Sequence, residues 1–103
     1  MNTRAKGSRF EHEVKKALEK QGYFVIRQSC SRFPDLIAIG PETKKAYFIE
    51  CKCNKYITKG EKEELINMRK FGGIAVAWPE YIGNKKVICF RDPQNNKTLV
   101  MDK

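Results

Sequence analysis

PDLIAIGPETKKAYFIECKC, residues Pro34–Cys53, holds two β-type runs around one turn. DLIAIG (Asp35–Gly40) and AYFIECKC (Ala46–Cys53) are rich in branched and aromatic residues, and PETKK (Pro41–Lys45) carries turn chemistry. The segment therefore reads as an antiparallel hairpin. Side chains alternate across a strand, so Glu50 and Lys52 share one face. Ile49, Cys51 and Cys53 share the other, which is apolar and suited to packing on a helix. Fourteen residues separate Asp35 from Glu50, and pairing of the two strands brings Asp35 beside Glu50.

Working outward, Phe10, Val14, Ala17, Leu18 and Gln21 follow helical spacing. Ser8 is the expected N-cap, with Glu11 at the capping-box position, and Gly22 ends the run. YFVIRQ (Tyr23–Gln28) reads as a strand. GEKEELINMRKF (Gly60–Phe71) reads as a second helix stopped by Gly72 and Gly73. IAVAW (Ile74–Trp78) is a continuous apolar run, as in a strand buried on both faces. KVICF (Lys85–Phe90, with its flanks) and KTLVM (Lys97–Met101) read as short late strands. The expected order is αβββαβββ: a single α/β domain over residues 1–103, with a central mixed β-sheet flanked by helices. The crossover through the second helix returns a parallel strand.

The whole chain is 103 residues with 21 Lys+Arg against 12 Asp+Glu, a formal charge of +9. A surplus of that size on one small domain points to a polyanion, nucleic acid first among them. The charged opening MNTRAKGSRFEHEV has no apolar targeting core, and no apolar run approaches a membrane span. A cytoplasmic protein without membrane contact is expected. The four cysteines, Cys30, Cys51, Cys53 and Cys89, lack the paired spacing of a zinc site and read as reduced, inert thiols.

Two carboxylates and an ammonium on one sheet face need a reason. Packed carboxylates repel, and each favours protonation. A divalent cation resolves the conflict, and Mg²⁺ favours a few carboxylate oxygens plus waters and phosphate oxygens. The bland alternative is a solvated face with an incidental ion pair. A third carboxylate comes from the first helix. Glu11 lies ~20° from Leu18 around the helix, and Glu13 about 40° from Ala17, so periodicity leaves both open.

At this point the chain resembles the archaeal-type Holliday junction resolvases of the PD-(D/E)xK nuclease superfamily. The likeness is carried by KGSRFEHEVKKALEKQGYFVIR (Lys6–Arg27), SCSRFPDLIAIG (Ser29–Gly40), FIECKC (Phe48–Cys53) and RKFGGIAVAW (Arg69–Trp78), in that order. It implies a restriction-endonuclease-like fold and a metal-dependent DNA endonuclease that resolves four-way junctions by paired nicks. It places the catalytic set on Glu11, Ser31, Asp35, Glu50 and Lys52, and so prefers Glu11 to Glu13. It further implies a metal held by Asp35, Glu50, the Cys51 backbone carbonyl and Glu11, with Mg²⁺ as the ion, Mn²⁺ as a substitute, and no small-molecule cofactor. The stretch after Lys52 is shorter than usual for the family, and the last ~25 residues have no clear counterpart in it.

Arg4, Lys6, Arg9, Arg27, Arg32, Lys55 and Lys59 bracket the proposed site in sequence and are the expected DNA contacts. The resemblance also implies a homodimer, and the second helix, which carries more apolar surface than one stripe on a sheet needs, puts Met68 and Phe71 at its interface. Other readings are a nicking, flap or restriction-like nuclease of the same superfamily, or a non-catalytic nucleic-acid-binding module. The clustered carboxylates argue against the module, because binding alone gains nothing from groups that repel phosphate.

Overall fold

The computed structural model describes residues 3–28 and 33–103, with side chains from residue 6 onward. Its elements in chain order are α1 (Thr3–Lys20), β1 (Phe24–Arg27), β2 (Leu36–Ile39), β3 (Ala46–Cys51), α2 (Lys59–Asn67), β4 (Gly73–Ile82) and β5 (Lys85–Arg91), with one 3₁₀ turn at Met68–Lys70 after α2. The strands form one five-stranded sheet in the order β1-β2-β3-β4-β5. All neighbours are antiparallel except β3 and β4, which run parallel across the α2 crossover. The hairpin, the parallel return and the α/β class expected from sequence are all present.

Helix α1 covers one face of the sheet. Phe10, Val14 and Leu18 pack on Val25, Leu36, Ala38, Tyr47, Ile49, Ala75 and Ala77. At its C-terminal end Gly22 takes a positive φ of 98°. The Gly22 N–H donates to the Glu19 carbonyl (3.0 Å) and the Tyr23 N–H to the Leu18 carbonyl (3.1 Å). That is the paired bonding of a Schellman stop. On the other face, Leu65 of α2 packs on Ile74 and Val76, with Phe33, Phe48, Ile57 and Trp78 around them. With a helix on each side, residues 73–77 are all buried, which accounts for the unbroken apolar run.

Three expectations need correction. Helix α1 starts at Thr3, not at Ser8. Ser8 lies inside the helix, where its Oγ accepts a 2.6 Å bond from the Arg27 guanidinium. This tertiary bond, rather than a cap, occupies its side chain. Helix α2 starts one residue before Gly60, because Thr58 caps it through a reciprocal capping box with Glu61.

The late strand over 97–101 is absent. Only Thr98 bridges to Arg91, and the chain then crosses the α1 face of the sheet. Leu99 and Met101 pack on the core there. The Asp102 N–H donates to the Tyr47 hydroxyl (3.0 Å), and the Tyr23 hydroxyl stands 3.0 Å from the Met101 and Asp102 carbonyls. The Thr43 N–H closes the segment onto the Lys103 carbonyl at 3.0 Å. The apolar residues of KTLVM are therefore a lid on the core, not a sixth strand.

Gly73 opens β4 opposite Tyr47. A Cβ at position 73 would collide with the Tyr47 ring, which is itself 3% exposed and tied to the C-terminal segment. Gly73→Ala should therefore cost about 1–3 kcal/mol, the usual range for overpacking a fixed core. Urea denaturation of the two proteins checks this, and an unchanged midpoint would mean that Tyr47 moves aside freely.

Candidate active site

The paired ends of β2 and β3 converge on two carboxylates. The ladder runs Ile37↔Phe48, Leu36↔Ile49, and one more step sets Asp35 opposite Glu50. The Asp35 N–H donates to Glu50 Oε1 (3.2 Å), and the Cys51 N–H donates to Asp35 Oδ2 (2.8 Å). Each carboxylate is thus fastened to the backbone of the other strand. Glu50 is the only charged side chain among the buried residues described, at 5% exposed. Burial first, and then the Asp35 charge and hydrogen bond, push its carboxyl up to about 8, against the pull of Lys52.

Lys52 shares the Glu50 face, as alternation requires. Its Nζ lies 3.4 Å from Glu50 Oε2 and 2.6 Å from Glu61 Oε2. Burial works against the ammonium charge, but hydrogen bonds and charges from Glu61 and Glu50 outweigh it and hold the Lys52 pKa above its usual value. Glu61 is the residue that sequence reasoning missed. Its Oε1 accepts from the Thr58 N–H and hydroxyl (3.0 Å each) while Oε2 holds Lys52. Burial would raise this carboxyl, yet the bonds from Lys52 and Thr58 bring it down to about 2. The signal was present: Thr58-Lys59-Gly60-Glu61 is a capping-box spacing.

Glu11 and Glu13 leave α1 in opposite directions. Glu11 Oε1 accepts from Arg27 Nε at 3.3 Å, on the β1 side. Glu13 Oε2 meets Lys86 Nζ at 2.7 Å, on the β5 side. Burial, followed by the charge of Asp35, raises the Glu11 carboxyl, with Arg27 opposing. Glu11 therefore feels the site electrostatically although its bond goes to Arg27. The Cys51 thiol is pushed well up by burial and by Asp35, Glu11 and Glu50, in keeping with an inert role. Cys53 and Cys89 are likewise free and half-buried.

Among the described residues no three side chains stand together as a ready set of metal ligands. The donor chemistry nevertheless fits Mg²⁺, which is commonly bound through one or two carboxylates plus waters and substrate phosphates. Asp35, Glu50 and the Cys51 carbonyl are hard oxygen donors, and burial together with the neighbouring Asp35 disfavours the Glu50 charge in the bare protein. Ser31 and Arg32, and the side chain of Arg4, lie outside the described residues. Of the other expected DNA contacts, Lys6, Arg9, Arg27, Lys55 and Lys59 are exposed. Arg27 is engaged by Glu11 and Ser8, and Lys55 by Glu80 at 2.9 Å. Met68 turns inward against the Leu65 cluster, whereas Phe71 is 69% exposed.

The family model of the archaeal Holliday junction resolvases (Hjc) matches residues 2–102. The chain belongs to this family. It is 45% identical to the crossover junction endodeoxyribonuclease Hjc of Methanocaldococcus jannaschii, over 94% of this chain and 76% of that one. Its fold matches that of Archaeoglobus fulgidus Hjc, a Holliday junction resolvase from a hyperthermophile. The TM-score is 0.67 at 28% identity, covering 86% of this chain and 74% of the other. No helix among the described residues is long and apolar enough to cross a membrane.

Ionising Glu50 costs the folded state its stability. Its carboxyl titrates near 8 when folded and near 4.5 when unfolded, so the folded form holds the extra proton between those values. Stability supplied by this group is complete below about pH 4.5 and is lost as pH rises towards 8. Glu61, with its depressed carboxyl, acts only below that window. Metal-free wild type should therefore unfold at lower urea concentration at pH 8 than at pH 5, and Glu50→Gln should reduce the difference to the part that the raised Glu11 carboxyl supplies. A wild-type profile as flat as the variant's would mean that Glu50 ionises without penalty.

Proposed function

We propose that this chain is a Mg²⁺-dependent endodeoxyribonuclease that resolves four-way DNA junctions by paired nicks. Asp35, Glu50 and Lys52 form the centre of its site, with Glu11 and Ser31 beside them. The observation that carries this reading is the interlocked Asp35–Glu50 pair next to Lys52, in a chain of the archaeal Holliday junction resolvase family. Nucleases of this family are metal-dependent in general. Here Asp35, Glu50 and the Cys51 carbonyl would hold the Mg²⁺, and Glu11 would complete the set, directly or through water. Mn²⁺ accepts the same oxygen donors and would substitute. When bound, the ion supplies Lewis acidity toward water and the scissile phosphate.

The protein's own groups do the positioning. Lys52 orients the attacking water and carries a proton at Nζ that interacts with the phosphate oxygens. Glu61 holds the Lys52 side chain in place, and so acts as a positioning residue. Ser31 would touch the scissile phosphate. Lys6, Arg9 and Lys59, with Arg4, Arg27, Arg32 and Lys55, would hold the DNA through its backbone, which fixes register without reading bases. A structure-selective enzyme needs that kind of contact. Its place of action is the cytoplasm, with the DNA it cuts.

Two matched cuts on a nearly two-fold junction call for two identical sites in a fixed relation. A homodimer supplies them. Phe71 is 69% exposed, and on the same side of the sheet Phe24 and Ile26 of β1 are 65% and 43% exposed. A second copy of the chain is the occupant suited to that apolar face. Met68 contributes from beneath rather than by direct contact.

A labelled four-way junction and a matched duplex, incubated with Mg²⁺ or with EDTA, test the function. The junction should be cut, the duplex spared and EDTA should stop the reaction. Equal cutting of both would favour a nicking or restriction-like nuclease. Asp35→Asn and Glu50→Gln should abolish cleavage while leaving junction binding intact or tighter, because each removes a metal ligand that phosphate does not need and neither adds negative charge. Lys52→Ala should slow cleavage by about 10²–10⁴-fold, the range of a positioned proton-transfer group, with little change in Mg²⁺ affinity. In sedimentation equilibrium the wild type should weigh twice the 12.0 kDa monomer, and Phe71→Glu should lower that mass and reduce paired cutting more than single nicking. A monomer that still makes paired cuts in one encounter would exclude the dimer.

A further inference from the structure

A cleft of about 490 Å³ opens on the α1 face of the sheet, towards the β5 edge. It lies on the opposite flank of α1 from the Glu11–Arg27 pair. Phe10 and Pro79 are buried in its walls, while the Tyr81 side chain beside them is 63% exposed. Four cations line it, Lys6, Arg9, Lys55 and Lys86, against one carboxylate, Glu13.

We propose that this cleft takes a single nucleotide of the DNA substrate, opened out of the duplex at the branch point, with its base against Tyr81 and Pro79 and its phosphate among Lys6, Arg9 and Lys86. The proposal rests on the junction-cleaving reading and adds a second contact to it. Three observations carry it. The volume is within the range of small-molecule pockets, roughly 300–1,000 Å³, and exceeds what a phosphate alone requires. Cations suit a phosphate, but an apolar recess with an exposed aromatic ring does nothing for one. It suits a base, since every base has a π-face to stack.

Two stretches of its lining also adjoin site residues in the chain. Asn54 and Lys55 follow Lys52 directly after Cys53, and Phe10 precedes Glu11. A nucleotide held here would therefore be gripped by segments that also carry site residues. One charge stands against a phosphate here: Glu13 holds Lys86 at 2.7 Å, so an arriving phosphate must displace a carboxylate from that ammonium. Opening a base is least costly where pairing is already interrupted, which makes the branch point the natural donor.

Affinity in EDTA for a four-way junction and for a matched duplex tests this. Loss of one base–aromatic stack is worth ~1–3 kcal/mol, so Tyr81→Ala should weaken junction binding by about 5- to 150-fold and leave duplex binding unchanged. Tyr81→Phe should bind as wild type, because the ring is what stacks. Glu13→Gln should tighten junction binding by freeing Lys86. Deoxyadenosine monophosphate, titrated against the ¹⁵N-labelled protein, should shift the amides of Asn54, Tyr81 and Lys86, and inorganic phosphate should leave Tyr81 unmoved. Equal weakening on junction and duplex by Tyr81→Ala would overturn the proposal, as would weaker binding by Glu13→Gln. Phosphate shifting Tyr81 as fully as the nucleotide would reduce the cleft to an anion site. Wild-type protein that binds junctions in this way but never cuts them would defeat the nuclease reading and leave the cleft's assignment standing.

Discussion

Two backbone N–H groups hold the pair of carboxylates on which this molecule's chemistry depends. Asp35 offers its N–H to Glu50, and Cys51 offers its N–H to Asp35. Both bonds lie one step beyond the regular β2–β3 ladder. A pair of carboxyl groups is thereby fixed across two strands, at the end of a sheet packed on both faces. Neither side chain can swing away to relieve repulsion without breaking a bond to backbone. The protein accepts an electrostatic conflict in Glu50, and the surrounding core holds it in place. Functional sites commonly store such perturbed groups, because a charge poised between states answers strongly to a ligand.

The rest of the fold can be read as support for that pair. The β3–β4 register sets Glu50 beside Val76, so the carboxyl sits against a dry strand. The capping box of α2 turns Glu61 towards Lys52, and this fixes the ammonium on the correct side of Glu50. Helix α1 divides the approach. Glu11 faces the β1 edge with Arg27, and Glu13 faces the β5 edge with Lys86. One helix thus borders both the carboxylate centre and the cationic cleft.

Much of this was legible in the sequence because it rests on short-range rules. Alternation placed Glu50 and Lys52 together, hairpin length brought Asp35 to Glu50, and the unbroken IAVAW run announced a strand covered on both faces. The misplaced start of α1 and the missing late strand have a common cause: a local signal is overridden by a distant partner. Ser8 looks like a cap, but Arg27, nineteen residues on, claims its hydroxyl. KTLVM looks like a strand, but Tyr23 and Tyr47 draw the segment across the core. Periodicity could not separate Glu11 from Glu13, since both border the apolar stripe and only the identity of their distant partners differs. Glu61 was overlooked for another reason. Its capping role was visible at Thr58-x-x-Glu61, while its bond to Lys52 needs the crossover to bring α2 back over β3.

The central claim is that Glu50 is a carboxylate whose charge the bare protein disfavours and a divalent cation restores. Carbon-13 NMR of the Glu50 side-chain carboxyl, titrated with and without saturating Mg²⁺, measures this directly. The metal-free midpoint should lie near 8, and Mg²⁺ should move it below the ordinary glutamate range. A midpoint near 4.5 in the bare protein, unmoved by Mg²⁺, would contradict the account.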